Sequence, residues 1–390
     1  MNNIIINNIK YLCLIGGSYH QKKNIFFSVL STTIVLCCFF ASFKVQANLV
    51  QIKPENAFFK QSLWESEPIP QQILSLAYGK LTHYGLDQII YCTKNKIVVG
   101  EIKAQKLVEY FNLKAPKTQE YHRLSMGDWN QDGNINIIVN GFESGRVFSD
   151  LYQFKNQKLI LVQSFDNLVM PLKLNGKTEL YNQKWFGQGE WEKQAHQMIY
   201  NGKRWVSSSN FISVNNGLGR NAFSLFDMVS MGNKLVYFNR DASLLVSDLK
   251  GKKIWKSSLN FGGAVDYTKI KHRDPLGLNK DKLYMISPRM AWANNQLYVF
   301  HNQSYINSVV GTIPQIKTTQ FLSLKWKQQD GFQESFRSQT FQGALTDVRS
   351  IDFDGDGQQE LLVSFIKRKG GYLGPTHKKQ SSRIAVLKLK

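Results

Sequence analysis

Apolar residues fall in short runs through most of the chain, with Gly, Asn and Asp between them. Examples are Ile97-Val98-Val99, Ile137-Ile138-Val139, Leu235-Val236-Tyr237-Phe238, Leu297-Tyr298-Val299-Phe300 and Leu361-Leu362-Val363. They are rich in β-branched and aromatic residues, which suit a pleated, half-buried surface. Turn signals separate them: Asn201-Gly202, Lys250-Gly251 and Asn294-Asn295. Glu101–Phe111 is the best helical candidate, and no long stretch beyond residue 48 keeps a clean 3.6-residue period. The pattern predicts an all-β chain.

The runs also repeat. Ser125-Met126-Gly127-Asp128-Trp129-Asn130-Gln131-Asp132-Gly133-Asn134-Ile135-Asn136 leads into an apolar strand. Ser350-Ile351-Asp352-Phe353-Asp354-Gly355-Asp356-Gly357-Gln358-Gln359-Glu360 does the same. Asp128 and Asp352 are 224 positions apart, or five steps of about 45. Eroded copies surround Lys80 and Lys173. Units of that length, made of four short strands, predict a seven-bladed β-propeller over residues 72–390, with six blades as the alternative. Residues 48–71 are then a linker or a closing strand. The run from Leu235 to Trp255 reads as successive hairpins of one blade and resembles quinoprotein-type propeller repeats.

The first 47 residues differ. They hold no Asp or Glu, and Lys22-Lys23 precede an uncharged run from Ile25 to Phe43. Val45-Gln46-Ala47 follows, in the order of a secretory signal. The run is also long enough to anchor the chain in a membrane, so residues 1–47 are a cleaved signal or an anchor. Either way the lysines stay inside, and residues 48–390 are expected to be periplasmic, surface-bound or secreted. Membrane contact is expected only through residues 25–43. Three of the four cysteines lie in this leader, which leaves Cys92 without an internal disulfide partner. Cys92 is expected to act as a small buried hydrophobe.

Charge bears on the partner. The chain carries +21, and removing the leader's lysines (10, 22, 23 and 44) leaves +17. That excess favours an anionic neighbour such as lipid headgroups or an envelope polymer.

The acidic loops carry the clearest chemistry. Asp-x-Asp-x-Asp-Gly turns several oxygens toward one point, which suits a hard cation with oxygen ligands at about 2.3–2.6 Å. Asp352, Asp354, Asp356, Gln358 (through its carbonyl) and Glu360 are one candidate Ca²⁺ set. Asp128, Asn130, Asp132, Asn134 and Asn136 are a second, with fewer charges and weaker expected binding. An EF-hand is excluded, because Val139 and Val363 stand where its bidentate Glu belongs.

These two loops resemble the calcium-binding turns of FG-GAP/VCBS repeats, found in integrin-α-like propellers and secreted bacterial proteins. Phe261-Gly262-Gly263-Ala264 resembles part of the motif behind the name, with Val265 in place of Pro. Ser382-Arg383-Ile384-Ala385-Val386-Leu387 is similar to the last strand of bacterial members. The resemblance implies a secreted or surface propeller with structural calcium, and no particular activity.

No catalytic motif assembles. G-x-S-x-G, H-E-x-x-H, the P-loop and G-x-G-x-x-G are all missing. Glu190 and Glu192 stand beside Trp185 and Trp191, where paired carboxylates could serve glycoside chemistry, but an aromatic blade edge explains them as well. Lys367, Arg368, Lys369, Lys378, Lys379 and Arg383 flank a Gly-rich loop and are candidate anion ligands. The aromatics form no base-stacking platform, so nucleic acid is not expected.

The sequence therefore predicts a non-catalytic, extracytoplasmic, calcium-binding propeller that holds a protein or an anionic envelope polymer. The alternatives are a propeller-scaffold polysaccharide lyase or hydrolase, and an envelope-assembly scaffold anchored by an uncleaved leader.

Overall fold

A strand ladder begins at β1 (Ser62–Glu65) and ends at β28 (Ser382–Leu387). The computed structural model describes residues 62–389, apart from 82–86, 188–189, 214–223, 240–241, 274–278, 305–315 and 368–380. The leader lies outside the described residues. So do Arg368, Lys369, Lys378 and Lys379.

The described residues form small antiparallel sheets and no α-helix. The first unit is β2 (Ser75–Gly79), β3 (Gln88–Thr93), β4 (Lys96–Lys103) and β5 (Lys106–Lys114). The second is β6 (Gln119–Gly127), β7 (Asn136–Glu143), β8 (Arg146–Lys155) and β9 (Lys158–Phe165). The third is β10 (Leu168–Leu174), β11 (Lys177–Gln183), β14 (Gln194–Tyr200) and β15 (Trp205–Ser213), with the hairpin β12 (Trp185–Gly187) and β13 (Glu190–Trp191) inserted. The fourth is β16 (Met228–Met231), β17 (Lys234–Phe238), β18 (Ser243–Asp248) and β19 (Lys253–Asn260). A separate hairpin, β20 (Asp266–Arg273) and β21 (Asn279–Ile286), follows. The fifth unit is β22 (Ala291–Ala293), β23 (Gln296–Ser304), β24 (Ile316–Lys327) and β25 (Gly331–Arg337). The sixth is β26 (Phe341–Ile351), β27 (Glu360–Lys367), β28 and, returning from the start, β1. A short pairing of Thr318 and Thr319 with Gln342 and Phe341 joins the fifth and sixth units into one sheet.

Burial explains the apolar runs. Every residue of β3 is buried, and so are Leu235–Phe238 on β17. A strand covered on both faces needs no polar alternation. The last strands differ: on β5 and β9 most residues reach solvent. The first five units are thus open at their last strands, while β28 and β1 of the sixth carry no exposed residue.

Each core lies between consecutive units. Ile90 and Val99 of the first unit meet Leu124 and Val139 of the second. Ile138 and Leu151 meet Val169 and Leu180 of the third. Leu172 and Tyr181 meet Leu235 and Tyr237 of the fourth. Val236 and Val246 meet Leu297 and Val299 of the fifth. Phe300 and Phe321 meet Val348 and Val363 of the sixth. Leu362 and Ile384 then meet Ile89 and Val98 of the first. The packing returns to its starting point.

The spacing differs from the constant step expected of the sequence. The acidic loops and their eroded copies all connect the first and second strands of a unit. From Asp128 to Asp352 there are four such steps, not five, because the later units are longer. The inserted hairpin of the third unit and the β20–β21 hairpin supply part of that length. Six four-stranded units form among the described residues, and a seventh is not displayed. Glu101–Phe111 is not helical. Ala104 and Gln105 take φ of 47° and 66°, which makes a tight turn between β4 and β5.

Phe261-Gly262-Gly263 links the fourth unit to the fifth. Phe261 is buried, Gly262 N–H donates to Phe300 O at 2.6 Å, and Asn302 N–H donates to Gly262 O at 2.7 Å. Gly263 has φ of 102°, and a Cβ there would sit 2.5 Å from Asn302 O, so only glycine fits.

Candidate functional site

Both acidic loops span the first and second strands of a unit. Gly127 and Ile351 end the strands before them, and Asn136 and Glu360 begin the strands after. In the loop after β26, one ligand oxygen each from Asp352, Asp354 and Asp356 lies within 4.8 Å of the other two. Gly357 N–H donates to Asp352 Oδ2 at 3.2 Å, and Gln358 N–H donates to Asp356 Oδ1 at 2.7 Å. Asp352 Oδ1 is buried and has no hydrogen-bond partner. Opposite ligands around an ion at about 2.4 Å stand about 4.8 Å apart, so these oxygens fit one calcium ion.

Glu360, the expected closing residue of the set, stands at the start of β27. It is buried, and its Oε2 accepts from Phe353 N–H at 2.8 Å, which folds the loop back on its own start. Burial raises its pKa, and the charges of Asp354, Asp356 and Asp352 add to the rise. Tyr78 of the first unit fixes the loop from outside, donating from its hydroxyl to Phe353 O at 3.2 Å.

The loop after β6 is closed by its own amides. Asp128 accepts from the N–H groups of Asp132 at 3.2 Å and Gly133 at 2.9 Å. Asp132 accepts from Asn130 Nδ2 at 2.8 Å and from Asn134 N–H at 2.8 Å. Asn136 donates from its Nδ2 to Asn134 O at 3.2 Å. Backbone N–H groups and the Asn130 and Asn136 side-chain amides together satisfy this turn.

Of the anion candidates, Arg383 is committed elsewhere. Its Nη1 donates to Glu65 Oε1 at 2.6 Å, pinning β1 to β28. Lys367 ends β27.

Trp185 and Trp191 belong to an aromatic nest, with ring centroids 4.6 Å apart. Trp191 is buried and donates from Nε1 to the Tyr284 hydroxyl at 3.0 Å. Glu190 and Glu192 border an open hollow with Phe186, Lys193 and Gln194. Cys92 is fully buried on β3, and burial raises its thiol pKa.

The sequence reading missed a buried charge cluster. Asp347 on β26 accepts from Arg289 Nε at 2.6 Å and from Arg289 Nη2. It also accepts from Leu76 N–H at 2.6 Å. Arg289 donates further to Leu124 O at 2.9 Å and to Leu76 O and Ser75 Oγ, each at 2.8 Å. Arg349 donates to Leu76 O at 3.0 Å and Leu124 O at 2.6 Å. The cluster ties the first strands of the first, second and sixth units. The only local signal was a pair of charges in an apolar stretch, Ala344-Leu345-Thr346-Asp347-Val348-Arg349. Its partners are remote; Ser75 and Arg289 are 214 positions apart.

The β20–β21 hairpin reaches across to the early units. His122 Nδ1 of β6 lies 2.7 Å from Asp266 Oδ2, and Lys94 Nζ lies 3.2 Å from Asp266 Oδ1. Thr268 donates to Glu120 at 3.1 Å, and Tyr284 packs against Phe142 and Trp185.

Asp227, in a single 3₁₀ turn nearby, gives a pH prediction. Burial raises its pKa to about 6, against the pull of Arg123. An unfolded Asp releases its proton near 3.9. Folded protein therefore holds a proton that unfolded protein lacks, and this contribution falls as pH rises from about 4 to about 6. Asp227→Asn should flatten urea stability across that window. Glu120 works in the other direction and lower, since His122, 3.6 Å away, and Lys94 hold it at about 2.

No family model and no curated protein matches the chain. Among solved structures, the computationally designed Ika8 protein is similar at a TM-score of 0.40 and 10% identity, covering 84% of this chain and 100% of that one. BBS1N in complex with ARL6DN is similar at a TM-score of 0.37 and 8% identity, covering 80% and 78%.

Proposed function

We propose that residues 62–387 form a β-propeller of six blades, with β1 completing the last blade. The cyclic order of the cores is the observation that carries this reading: each unit packs on the next, and the sixth packs on the first. The β20–β21 hairpin is then an insertion over one face, not a blade.

The propeller is a non-catalytic binding module, similar in its acidic loops to FG-GAP/VCBS proteins and working outside the cytoplasm. The Asp352–Glu360 loop holds a structural calcium ion, with Asp352, Asp354 and Asp356 as its carboxylate ligands. Glu360 contributes by shaping the loop through Phe353 N–H. The partner is an anionic envelope polymer or a protein with an acidic surface, drawn by the charge of +17 beyond the leader. The central arginines do not support the lyase or hydrolase alternative, because their donors are aimed at main-chain carbonyls and Asp347.

Retention of the full chain on a polyanionic resin tests the partner. The expected result is saturable binding that persists at about 0.15 M salt, where charges beyond about 8 Å are screened. Release at that salt overturns the polymer reading and leaves an acidic protein surface as the partner.

A further inference from the structure

The central cluster holds more positive charge than it neutralises. Arg289 and Arg349 donate to the same two carbonyls, Leu76 O and Leu124 O, so their guanidinium groups lie side by side. Arg123 is the residue before Leu124; its Nη1 donates to Leu74 O at 3.4 Å and its Nη2 to Ser287 O. Its Nε has no partner, and the residue is 1% exposed. Among the described residues, the carboxylates whose charge acts on Arg123 are Asp347 and Asp227. Asp266 is taken by His122 and Lys94. Three guanidinium groups therefore face two carboxylates. Asp227 Oδ1 also lacks a hydrogen bond. Burying an unpaired charge costs several kcal/mol, and carbonyl dipoles alone do not return it.

We propose that this arginine cluster binds one small inorganic anion, with chloride as the fitting example. Arg123 Nε is its unused donor, and Arg349, only partly buried, gives it access from solvent. Arg123 and Arg289 are 1% and 6% exposed, and so deep a site favours a small ion over a bulky organic anion. The ion neutralises the junction where β2, β6 and β26 meet, so it locks the sixth unit to the first.

The test compares melting of the full chain in sodium chloride and in sodium gluconate at equal ionic strength. Saturating chloride should raise the melting temperature by about 3–5 °C over gluconate. The difference should vanish in Arg349→Met and in Arg123→Met. No chloride-specific rise in the wild type overturns the proposal, as does a rise that both variants keep. If the variants do not fold, crystals of the wild type grown in sodium bromide decide. A bromide peak in contact with Arg123 and Arg349 supports the site, and water alone at that position overturns it.

Discussion

Asp347→Asn is expected to lower the unfolding free energy by about 3–5 kcal/mol, the range for breaking a buried charge pair. The side chain is fully buried and nearly isosteric with its replacement, so no cavity accounts for the loss. What disappears is charge. Burial alone would raise the Asp347 pKa, yet Arg289 overrides it, and Arg123 and Arg349 help hold the carboxyl below its usual range. Without that carboxylate, Arg289, Arg349 and Arg123 face one another with only Asp227 to offset them. Asn also offers an N–H₂ group where both acceptor oxygens are in use. Arg289→Met should cost less, because it leaves Arg349 and Arg123 beside Asp347 and brings the charges into balance. This order of severity distinguishes a cluster with excess positive charge from a simple pair, which would suffer equally from either loss. Urea unfolding of the two variants, with the slope unchanged, reads it directly. A loss below about 1 kcal/mol for Asp347→Asn would remove the cluster as the tie between units. The wild type should also lose stability in acid, since a depressed carboxylate pKa contributes above its unfolded value and fades as pH falls through the folded one.

Millimolar Ca²⁺ is expected to stabilise the full chain relative to EDTA by about 2.7 kcal/mol, the value for saturation at 100 times the dissociation constant. Three carboxylates whose ligand atoms lie within 4.8 Å of one another repel until a cation joins them. Asp354→Ala removes one of the three and should abolish most of the gain. Asp132→Ala, in the loop after β6, should leave it nearly intact, because Asn130, Asn134 and backbone amides already satisfy that turn. Mg²⁺ should substitute poorly, since it keeps its waters. Equal melting in EDTA and Ca²⁺ would reduce the Asp352 loop to a turn capped by its own amides.

The local features were readable because they depend on nearby residues. The middle strands announced themselves as apolar runs, since a strand covered on both faces needs no polar positions. The acidic loops were readable because alternate carboxylates and Gly355 act within one turn. The unit count was not, because a fixed period cannot anticipate insertions. The β12–β13 and β20–β21 hairpins lie outside the four-stranded sheets, and they stretch the later steps. Glu101–Phe111 misled for a related reason. Its strands are joined by Ala104 and Gln105, which carry none of the usual Gly or Asn signal for positive φ.

By itself the sequence determined the strand class, the phase of the repeat and the place of the acidic loops. Hydrophobic periodicity and turn chemistry act over a few residues, and a chain displays them in order. Only the tertiary structure decided where the buried charges meet. There Leu76, Leu124, Arg289 and Asp347 converge from separate units. A buried charge is tolerable only where its partners are held, and those partners meet only when all the sheets have packed.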